Sequence, residues 1–394
     1  MNGSPTPQEQ PVEVITAKRR VTIGLPAAAS STERRFPITP EGAAMLCERG
    51  FEIKMEQGAS ASIHFSDDAY RRGGAKIVDR REALGCDIVI HLPAISTADA
   101  NNLKPGAVLL SLLHAEHQSA AALRILLQRH IIAIALDLVE DARHNRPFAD
   151  ILSEVDGRAA MAIASSLLAD PVYGKGILLG GVAGIVPCEV TIVGSGIAAR
   201  AAARSALGLG ATVRMFDNDV YRLREALHEI GEQSVIGSAL HPRVFANALR
   251  SADIVIATET RYPLEINVAA VDEMKRGVVA FDLAHSGRQS VFPSLRCVVL
   301  ALASPDDCSP ARQVRTCYVH AGSAVPRTAA MALSTTLLTF FDDITVCDGL
   351  PNALKFNKGL SRAAYTFMGK VVNPDIAAVM GQRSIDITLF LHFS

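Results

Sequence analysis

The sequence contains no tryptophan, and aromatic residues make up only 5% of its 394 residues. It also has no excess of charge of one sign, since 39 lysine and arginine residues face 40 acidic residues and the formal net charge at pH 7 is -1. A chain with this balance has no general attraction to nucleic acid or to an anionic membrane surface. We therefore expect neither of these partners.

Long apolar runs are missing as well. Runs such as residues 108–113 and 131–136 are far shorter than the ~20 residues that a membrane-spanning helix needs. Residues 1–17 are rich in proline, glutamine and glutamate and have no apolar segment of the kind found in signal peptides. The sequence therefore predicts a soluble, cytoplasmic protein with a disordered tail over residues 1–17.

Cysteine is scarce and scattered. The seven cysteines are odd in number, and no two of them have the spacing of a zinc site. This usage is typical of reduced thiols in a cytoplasmic protein. We expect no metal centre from them.

What is present is a regular alternation of short apolar runs and helical patterns, in a chain that is 49% hydrophobic. Near-continuous apolar strands that alternate with helices are typical of parallel sheets covered on both faces. The predicted strands in the first part of the chain are Val21–Leu25, Phe51–Met55, Asp87–Ile90, Val108–Leu113 and Ile131–Leu136, and the predicted helices are Pro40–Arg49, Ser66–Gly73 and Ala120–Arg129.

Two long helices are predicted to separate two such units. The first begins with Ser153 as its N-cap, since Asp156 follows three residues on and a small apolar run continues over 159–168. The second covers Val325–Phe341. The tail from residue 342 shows no further alternation of strands and helices, so we expect it to pack against the first unit.

The predicted fold is therefore α/β, with two doubly wound, Rossmann-like domains of which one is inserted in the other. A discontinuous substrate domain takes residues 18–147 and 328–394, and a nucleotide-binding domain takes residues 148–327. Ligands of such folds bind beyond the carboxyl ends of the strands, so the cleft between the domains is the expected site.

The strongest motif lies in the inserted domain. The strand Val190–Val193 runs into Gly194-Ser195-Gly196-Ile197, and a small-residue helix follows. Glycines at these positions permit the tight turn and let backbone N–H groups approach a pyrophosphate. Asp217 ends the next strand about 20 residues on, where a carboxylate accepts the ribose 2′-hydroxyl of NAD and repels the 2′-phosphate of NADP. The motif predicts NAD as the cofactor.

Several segments in this order resemble the alanine dehydrogenase and nicotinamide nucleotide transhydrogenase α-subunit family, and the glycine-rich connection is closer to the dehydrogenase branch. The resemblance runs from about residue 21 to the end of the chain. It implies an NAD(H) domain, an active site in the cleft, a small substrate with a carboxylate, and a homo-oligomer (a dimer or a hexamer). The matching segments are Gly24–Pro26, Glu33–Glu41, Phe65–Asp67, Ser153–Arg158, Gly174–Gly184 and Ala324–Thr328.

The resemblance also assigns roles to single residues. Arg35 matches the arginine that holds the substrate carboxylate, and a surface salt bridge is the alternative. His114 matches the catalytic histidine, which passes a proton near neutral pH, and a histidine satisfied at a strand end is the alternative. Ser153 is expected to bind the cofactor or to cap its helix. Arg222 is expected at the adenosine edge behind Asp217, or as a solvated helix charge.

Three departures separate this chain from the family pattern. Pro93 takes the place of the substrate-binding lysine, His285 that of the catalytic aspartate, and His320 that of an asparagine beside the nicotinamide. We keep His285 as a candidate catalytic residue. Together with His91 and further histidines the cleft becomes rich in imidazole, which binds metals well, but the spacings do not form a metal motif and we predict none.

Three functions follow as hypotheses. The first is an NAD(H)-dependent oxidoreductase that acts on a small amino acid, 2-oxo acid or imine, and is not a standard alanine dehydrogenase. The second is a pseudoenzyme that binds NAD as a sensor or assembly partner, because the lysine and the aspartate are both lost. The third is an NAD-binding component of a transhydrogenase, which requires a membrane partner.

Overall fold

A computed structural model describes residues 20–28, 33–172, 174–231, 234–262, 264–284, 290–299, 316–346 and 350–391. Its strands in chain order are β1 Thr22–Leu25, β2 Glu52–Glu56, β3 Lys76–Val78, β4 Ile88–Ile90, β5 Val108–Ser111, β6 Ile132–Ala135, β7 Glu189–Val193, β8 Thr212–Phe216, β9 Val235–Ser238, β10 Ile254–Ala257, β11 Val279–Asp282, β12 Arg296–Val299, β13 Thr316–Val319, β14 Ala364–Phe367 and β15 Lys370–Val371.

Helices fill the connections, and among the described helices none is long and apolar enough to cross a membrane. They are α1 Pro40–Glu48, α2 Asp67–Arg72, α3 Arg80–Leu84, α4 Thr97–Asn102, α5 Ala120–Gln128, α6 Pro147–Ala169, α7 Ile197–Gly208, α8 Val220–Ile230, α9 Pro242–Ser251, α10 Val268–Asp272, α11 Pro326–Val346, α12 Leu350–Phe356, α13 Lys358–Ala363, α14 Pro374–Val379 and α15 Thr388–Leu391.

The strands form two sheets, as predicted. The first has eight strands in the order β15-β14-β6-β5-β4-β1-β2-β3, and the second has seven in the order β12-β13-β11-β10-β7-β8-β9. All recorded pairs of the second sheet are parallel. β10 and β11 are buried along their whole length. Such strands are typical of a sheet covered on both faces. The α/β class with one Rossmann-like unit inserted in the other is confirmed.

Strand order reverses next to the first strand of each sheet, which opens a crevice there. In the first sheet β1 lies between β4 and β2, and in the second β7 lies between β10 and β8. The loops that leave the carboxyl ends of these strands carry the glycine turn, Arg35 and Pro93. Ligands of doubly wound sheets bind at such switch points.

The two long helices α6 and α11 connect the sheets and pack against each other. Helix α6 also lies very close to α7, because Gly157 has no side chain: a Cβ at this position would stand 2.2 Å from the carbonyl oxygen of Ala198. A larger residue would push α7 away from α6, and α7 carries the glycine turn at its start. Gly157 therefore sets the distance between the long helix and the nucleotide-binding turn.

The structure corrects the start of the first long helix. It begins at Pro147, and Ser153 lies inside it rather than at its N-cap. Proline is well suited to the first helical position because its φ is already fixed. Phe148, Leu152 and Val155 then form a buried stripe, which extends the helix past the serine that the sequence pattern marked as its start.

The C-terminal tail packs against the first sheet, as expected, but it also adds strands to it. β14 pairs with β6 in antiparallel orientation, and β15 pairs with β14. These strands are only four and two residues long, so they carry too little periodicity to be predicted. The boundaries at residues 147/148 and 327/328 fall in the first turns of α6 and α11 and stay a prediction.

Candidate active site

The nucleotide-binding turn connects β7 to α7. Gly194 has a φ of +96°, and a Cβ there would stand 2.2 Å from the hydroxyl oxygen of Thr258, at the end of the neighbouring β10. Only glycine fits this backbone and this space. Gly196 is the N-cap of α7, so the free N–H groups of the first helical turn face the same place. This is the geometry of a pyrophosphate site.

Asp217 lies where the motif predicts, directly after β8, with 1% of its surface exposed. The Ser195 hydroxyl donates a hydrogen bond of 2.6 Å to its Oδ2, and the backbone N–H of Asp219 donates one of 2.9 Å to its Oδ1. A ribose hydroxyl therefore has to share or replace the Ser195 hydrogen bond. The guanidinium of Arg222 lies over the turn, 3.2 Å from the Cβ position of Gly196, which suits it to the adenosine edge.

A cleft of about 500 Å³ lies between the two sheets, next to the glycine turn. Its walls come from both units, and His114, His320 and Ser323 also line a second cavity of about 290 Å³ that adjoins it and includes Pro93. The residues that line the larger cavity are Arg35, Leu113, His114, Ala115, Glu116, Asp137, Asp156, Glu259, Leu283, Ala284, His320, Ser323 and Asp375.

Arg35 lies in this cleft and is held by Glu33. Its Nε donates to Glu33 Oε1 at 2.8 Å and its Nη2 to Oε2 at 2.5 Å, and both side chains are about nine-tenths buried. Although burial disfavours the charged guanidinium, the Glu33 carboxylate raises the pKa of Arg35. Glu33 engages one edge of the guanidinium, so the Nη1 edge remains for a ligand. Arg35 is thus an oriented cation and not a surface salt bridge.

His114 and His320 occupy equivalent places in the two sheets. Each follows the carboxyl end of a strand (β5 and β13), has a left-handed backbone (φ +39° and +54°), and precedes a short 3-10 turn. Burial, assisted by the Arg35 charge, lowers the pKa of His114 to about 4. The imidazole of His114 is therefore neutral near pH 7, which is the form in which a histidine can act as a base.

Two carboxyl groups hold the loops that carry these histidines. The backbone N–H of Leu113 donates to Asp137 Oδ1 at 2.8 Å, and that of Gly322 donates to Asp156 Oδ1 at 2.6 Å. Burial raises the pKa of both carboxyls, against the opposing effect of these hydrogen bonds and of Arg35. Two of the carboxyls in the cleft thus anchor one histidine loop each.

The other predicted residues do not all meet here. His91 is 2% exposed and lies outside the lining of both cavities, as does Ser153 on α6. His117 is exposed and lines the smaller cavity, with its ring centre 6.0 Å from that of His114. His285 lies outside the described residues. Among the described residues no group of three or more histidine, cysteine or acidic side chains is arranged to hold a metal ion.

The buried histidines predict how stability depends on pH. Burial lowers the pKa of His91 and His114 to about 4 from a normal 6.5. As the pH falls below 6.5 the unfolded chain takes up protons first, so the free energy of unfolding decreases until about pH 4. At pH 5 this amounts to about 2 kcal/mol for each histidine.

Urea unfolding at about pH 7.5 and pH 5 measures this loss. We expect His91→Leu to make the loss about 2 kcal/mol smaller. The matched control is His228→Leu, at an exposed position on α8, which should leave the loss unchanged. A wild-type protein that is equally stable at both pH values would contradict the prediction.

Three acidic residues around Arg35 were not predicted as site residues from the sequence. Glu33 stands two positions before Arg35, and Asp137 follows an apolar strand. A search for polar residues close behind the predicted strands would find both. Asp156 was interpreted only as a first-turn acid of α6. Its place in the cleft depends on the earlier start of that helix, which the sequence pattern did not reveal.

These features define a class of protein. The glycine turn and the acid at the end of the next strand lie beside a polar cleft, and a second doubly wound sheet forms the other wall of this cleft. This is the arrangement of a two-domain, dinucleotide-dependent dehydrogenase. These residues fit a dinucleotide cofactor. No side chain has room at Gly194, so the backbone of the turn can approach the pyrophosphate, and the Asp217 carboxylate stands where the ribose would bind.

The chain belongs to the alanine dehydrogenase/PNT family. Residues 24–156 match the model of its N-terminal domain and residues 160–374 that of its C-terminal domain. This confirms the predicted family, an oxidoreductase of the alanine dehydrogenase-like kind, and NAD as the cofactor.

Individual proteins are similar over most of the chain. An alanine dehydrogenase of Staphylococcus saprophyticus is 29% identical over 372 residues, which cover 93% of this chain and 98% of the relative. Alanine dehydrogenase 2 of Staphylococcus aureus is 28% identical over 380 residues, covering 94% and 100%. A solved L-alanine dehydrogenase has a TM-score of 0.80 at 24% identity, covering 92% of this chain and 99% of that one. A transhydrogenase from Sinorhizobium meliloti has a TM-score of 0.71 at 20% identity, covering 90% and 99%. The two structures support the fold.

Proposed function

We propose that this protein is an NAD(H)-dependent oxidoreductase that converts a small amino acid and the corresponding 2-oxo acid or imine, and that alanine is not its preferred substrate. The observation that supports this is the cleft itself, where Arg35 and His114 lie together beside the glycine turn. When bound, the nicotinamide exchanges a hydride with the substrate carbon.

The side chains of the cleft have separate tasks in this proposal. Arg35, fixed by Glu33, holds the substrate carboxylate with its Nη1 edge. His114 exchanges a proton with the nitrogen or oxygen on the reacting carbon. Pro93 stands in the adjoining cavity where the family pattern has lysine, and it has neither a charge nor an N–H with which to polarise a carbonyl. A substrate that needs this lysine is therefore disfavoured. We further propose a cytoplasmic homo-oligomer.

The arginine provides the test of this proposal. In a spectrophotometric panel of 2-oxo acids, with and without ammonia or amines, Arg35→Lys should raise KM by about 10–100-fold, because the two-pronged contact to the carboxylate is lost. Arg34→Lys changes an exposed neighbour and should leave KM unaltered. Equal KM values for Arg35→Lys and the wild type would contradict the assigned role.

A pseudoenzyme is the second candidate, favoured by Pro93 in the wall of the cleft. It binds NADH and turns over nothing. If the protein binds NADH in a titration but turns over no compound of a broad substrate panel, the pseudoenzyme is favoured over the dehydrogenase.

A further inference from the structure

The cleft is acidic to a degree that its proposed reaction does not require. Arg35 is the only lysine or arginine among the residues that the structure places in its lining, and Glu33 already neutralises it. A small 2-oxo acid with no positive group would enter a surplus of negative charge. The five carboxylates in the lining are Glu116, Asp137, Asp156, Glu259 and Asp375.

In the described part of the chain, the cation that acts on both Asp137 and Asp156 is Arg35, which is already paired with Glu33, and Arg146 also acts on Asp137. Neither forms a salt bridge there, and Asp156 accepts its only recorded hydrogen bond through Oδ1, from Gly322. Burial raises the pKa of both groups, although Arg35 acts in the opposite direction. A bound cation would restore their charge and gain a strong interaction, because water does not screen it there.

Arg35 gives an independent indication of a ligand. It is 9% exposed and lines the cleft, yet its Nη1 donates no hydrogen bond to any described residue. A guanidinium edge that faces the cleft without a partner fits a carboxylate. The cleft therefore offers one place for an anion and, beside it, two carboxyls for a cation. Asp137 and Asp156 both interact electrostatically with Arg35, so the two places are close together.

We propose that the substrate is an amino acid with a cationic side chain, of the lysine or ornithine class, or the imine made from one. Arg35 holds its carboxylate, and Asp156 with Asp137 holds the side-chain cation. The α-nitrogen does not fill this role, because it has to be an uncharged amine when the α C–H bond breaks. This inference rests on the proposed function, since it names the substrate of the same cleft.

Three amino acids of similar length separate the possibilities. Calorimetric titration of the NAD⁺-saturated full chain with lysine, norleucine and 2-aminoadipate varies only the side-chain charge. Lysine should bind at least about tenfold more tightly than norleucine, as expected for a hydrogen bond to a charged group. 2-Aminoadipate should bind most weakly.

Charge-neutralising variants locate the effect. Asp156→Asn keeps the shape and the acceptor for Gly322, and it should reduce the preference for lysine over norleucine about tenfold. Glu154→Gln, the matched control on the same helix but outside the cleft, should leave it unchanged.

The inference is overturned if norleucine binds as tightly as lysine, if none of the three amino acids binds, or if Asp156→Asn keeps the full preference. NADH oxidation with pyruvate and ammonium tests the proposed function separately. Turnover there without a preference for lysine overturns the inference alone. A preference for lysine without turnover of any substrate overturns the proposed function alone.

Discussion

Replacing His114 with asparagine should lower kcat/KM by about 10²–10⁴-fold and leave NADH binding unchanged. His114 is the neutral imidazole in the wall of the cleft, and Arg35 stands close enough to lower its pKa. In the proposed function no other residue of the described lining is assigned the proton transfer. Asparagine is the appropriate substitute because it tolerates the left-handed backbone at this position.

Initial rates with the best substrate of the panel, together with an NADH titration, measure this effect. The control is His144→Asn, which also has a left-handed backbone (φ +63°), is 81% exposed and lies outside the lining of both cavities. It should change kcat/KM less than about threefold. If His114→Asn kept the wild-type kcat/KM, the proton would have to move through another group, and the role given to His114 would be wrong.

Replacing Gly194 with alanine should weaken NADH binding by more than about 100-fold, which corresponds to about 3 kcal/mol. Two independent effects contribute. A φ of +96° is unfavourable for any residue with a Cβ, and the new methyl group would stand 2.2 Å from Thr258 Oγ1 and 2.9 Å from the carbonyl oxygen of Glu259. The turn has to move, and the pyrophosphate site moves with it.

Fluorescence titration with NADH gives the dissociation constant, and a thermal melt shows whether the variant folds. Gly208→Ala is the matched control, since it lies at the other end of α7 and an added Cβ there meets no atom within 4 Å. It should bind NADH like the wild type. A Gly194→Ala protein that folds and binds NADH with unchanged affinity would contradict the placement of the cofactor.

The regular part of the fold is predictable from the sequence because its strands are buried on both faces. Short apolar runs such as those of β5 and β10 predict buried strands when they alternate with helical patterns along the chain. What the sequence does not predict depends on contacts far along the chain. β14 is a strand because it pairs with β6, about 230 positions earlier in the chain. α6 starts at Pro147 because its first turns are buried against the first sheet.

The two halves of the site differ in the same way. The glycine turn is local, so its residues and Asp217 are found by spacing alone. The cleft is not local: Glu33 comes from the connection after β1, whereas Asp137 and Asp156 come from the connection between β6 and β7, about 100 positions later. For His91 the sequence predicts a cleft residue that the structure does not place there. It follows β4, as a cleft residue would, but it is buried away from both cavities.

Transfer of isotope is the most direct test of the central claim that this protein is an NAD-dependent dehydrogenase acting in the cleft between its sheets. NADH deuterated at the transferable ring position is incubated with the protein and the best 2-oxo acid and amine pair, and the product is analysed by mass spectrometry. The account predicts one deuterium on the α-carbon of the product from the wild type and none from His114→Asn over the same time. Bound NADH that keeps its deuterium with every pair tested would contradict it.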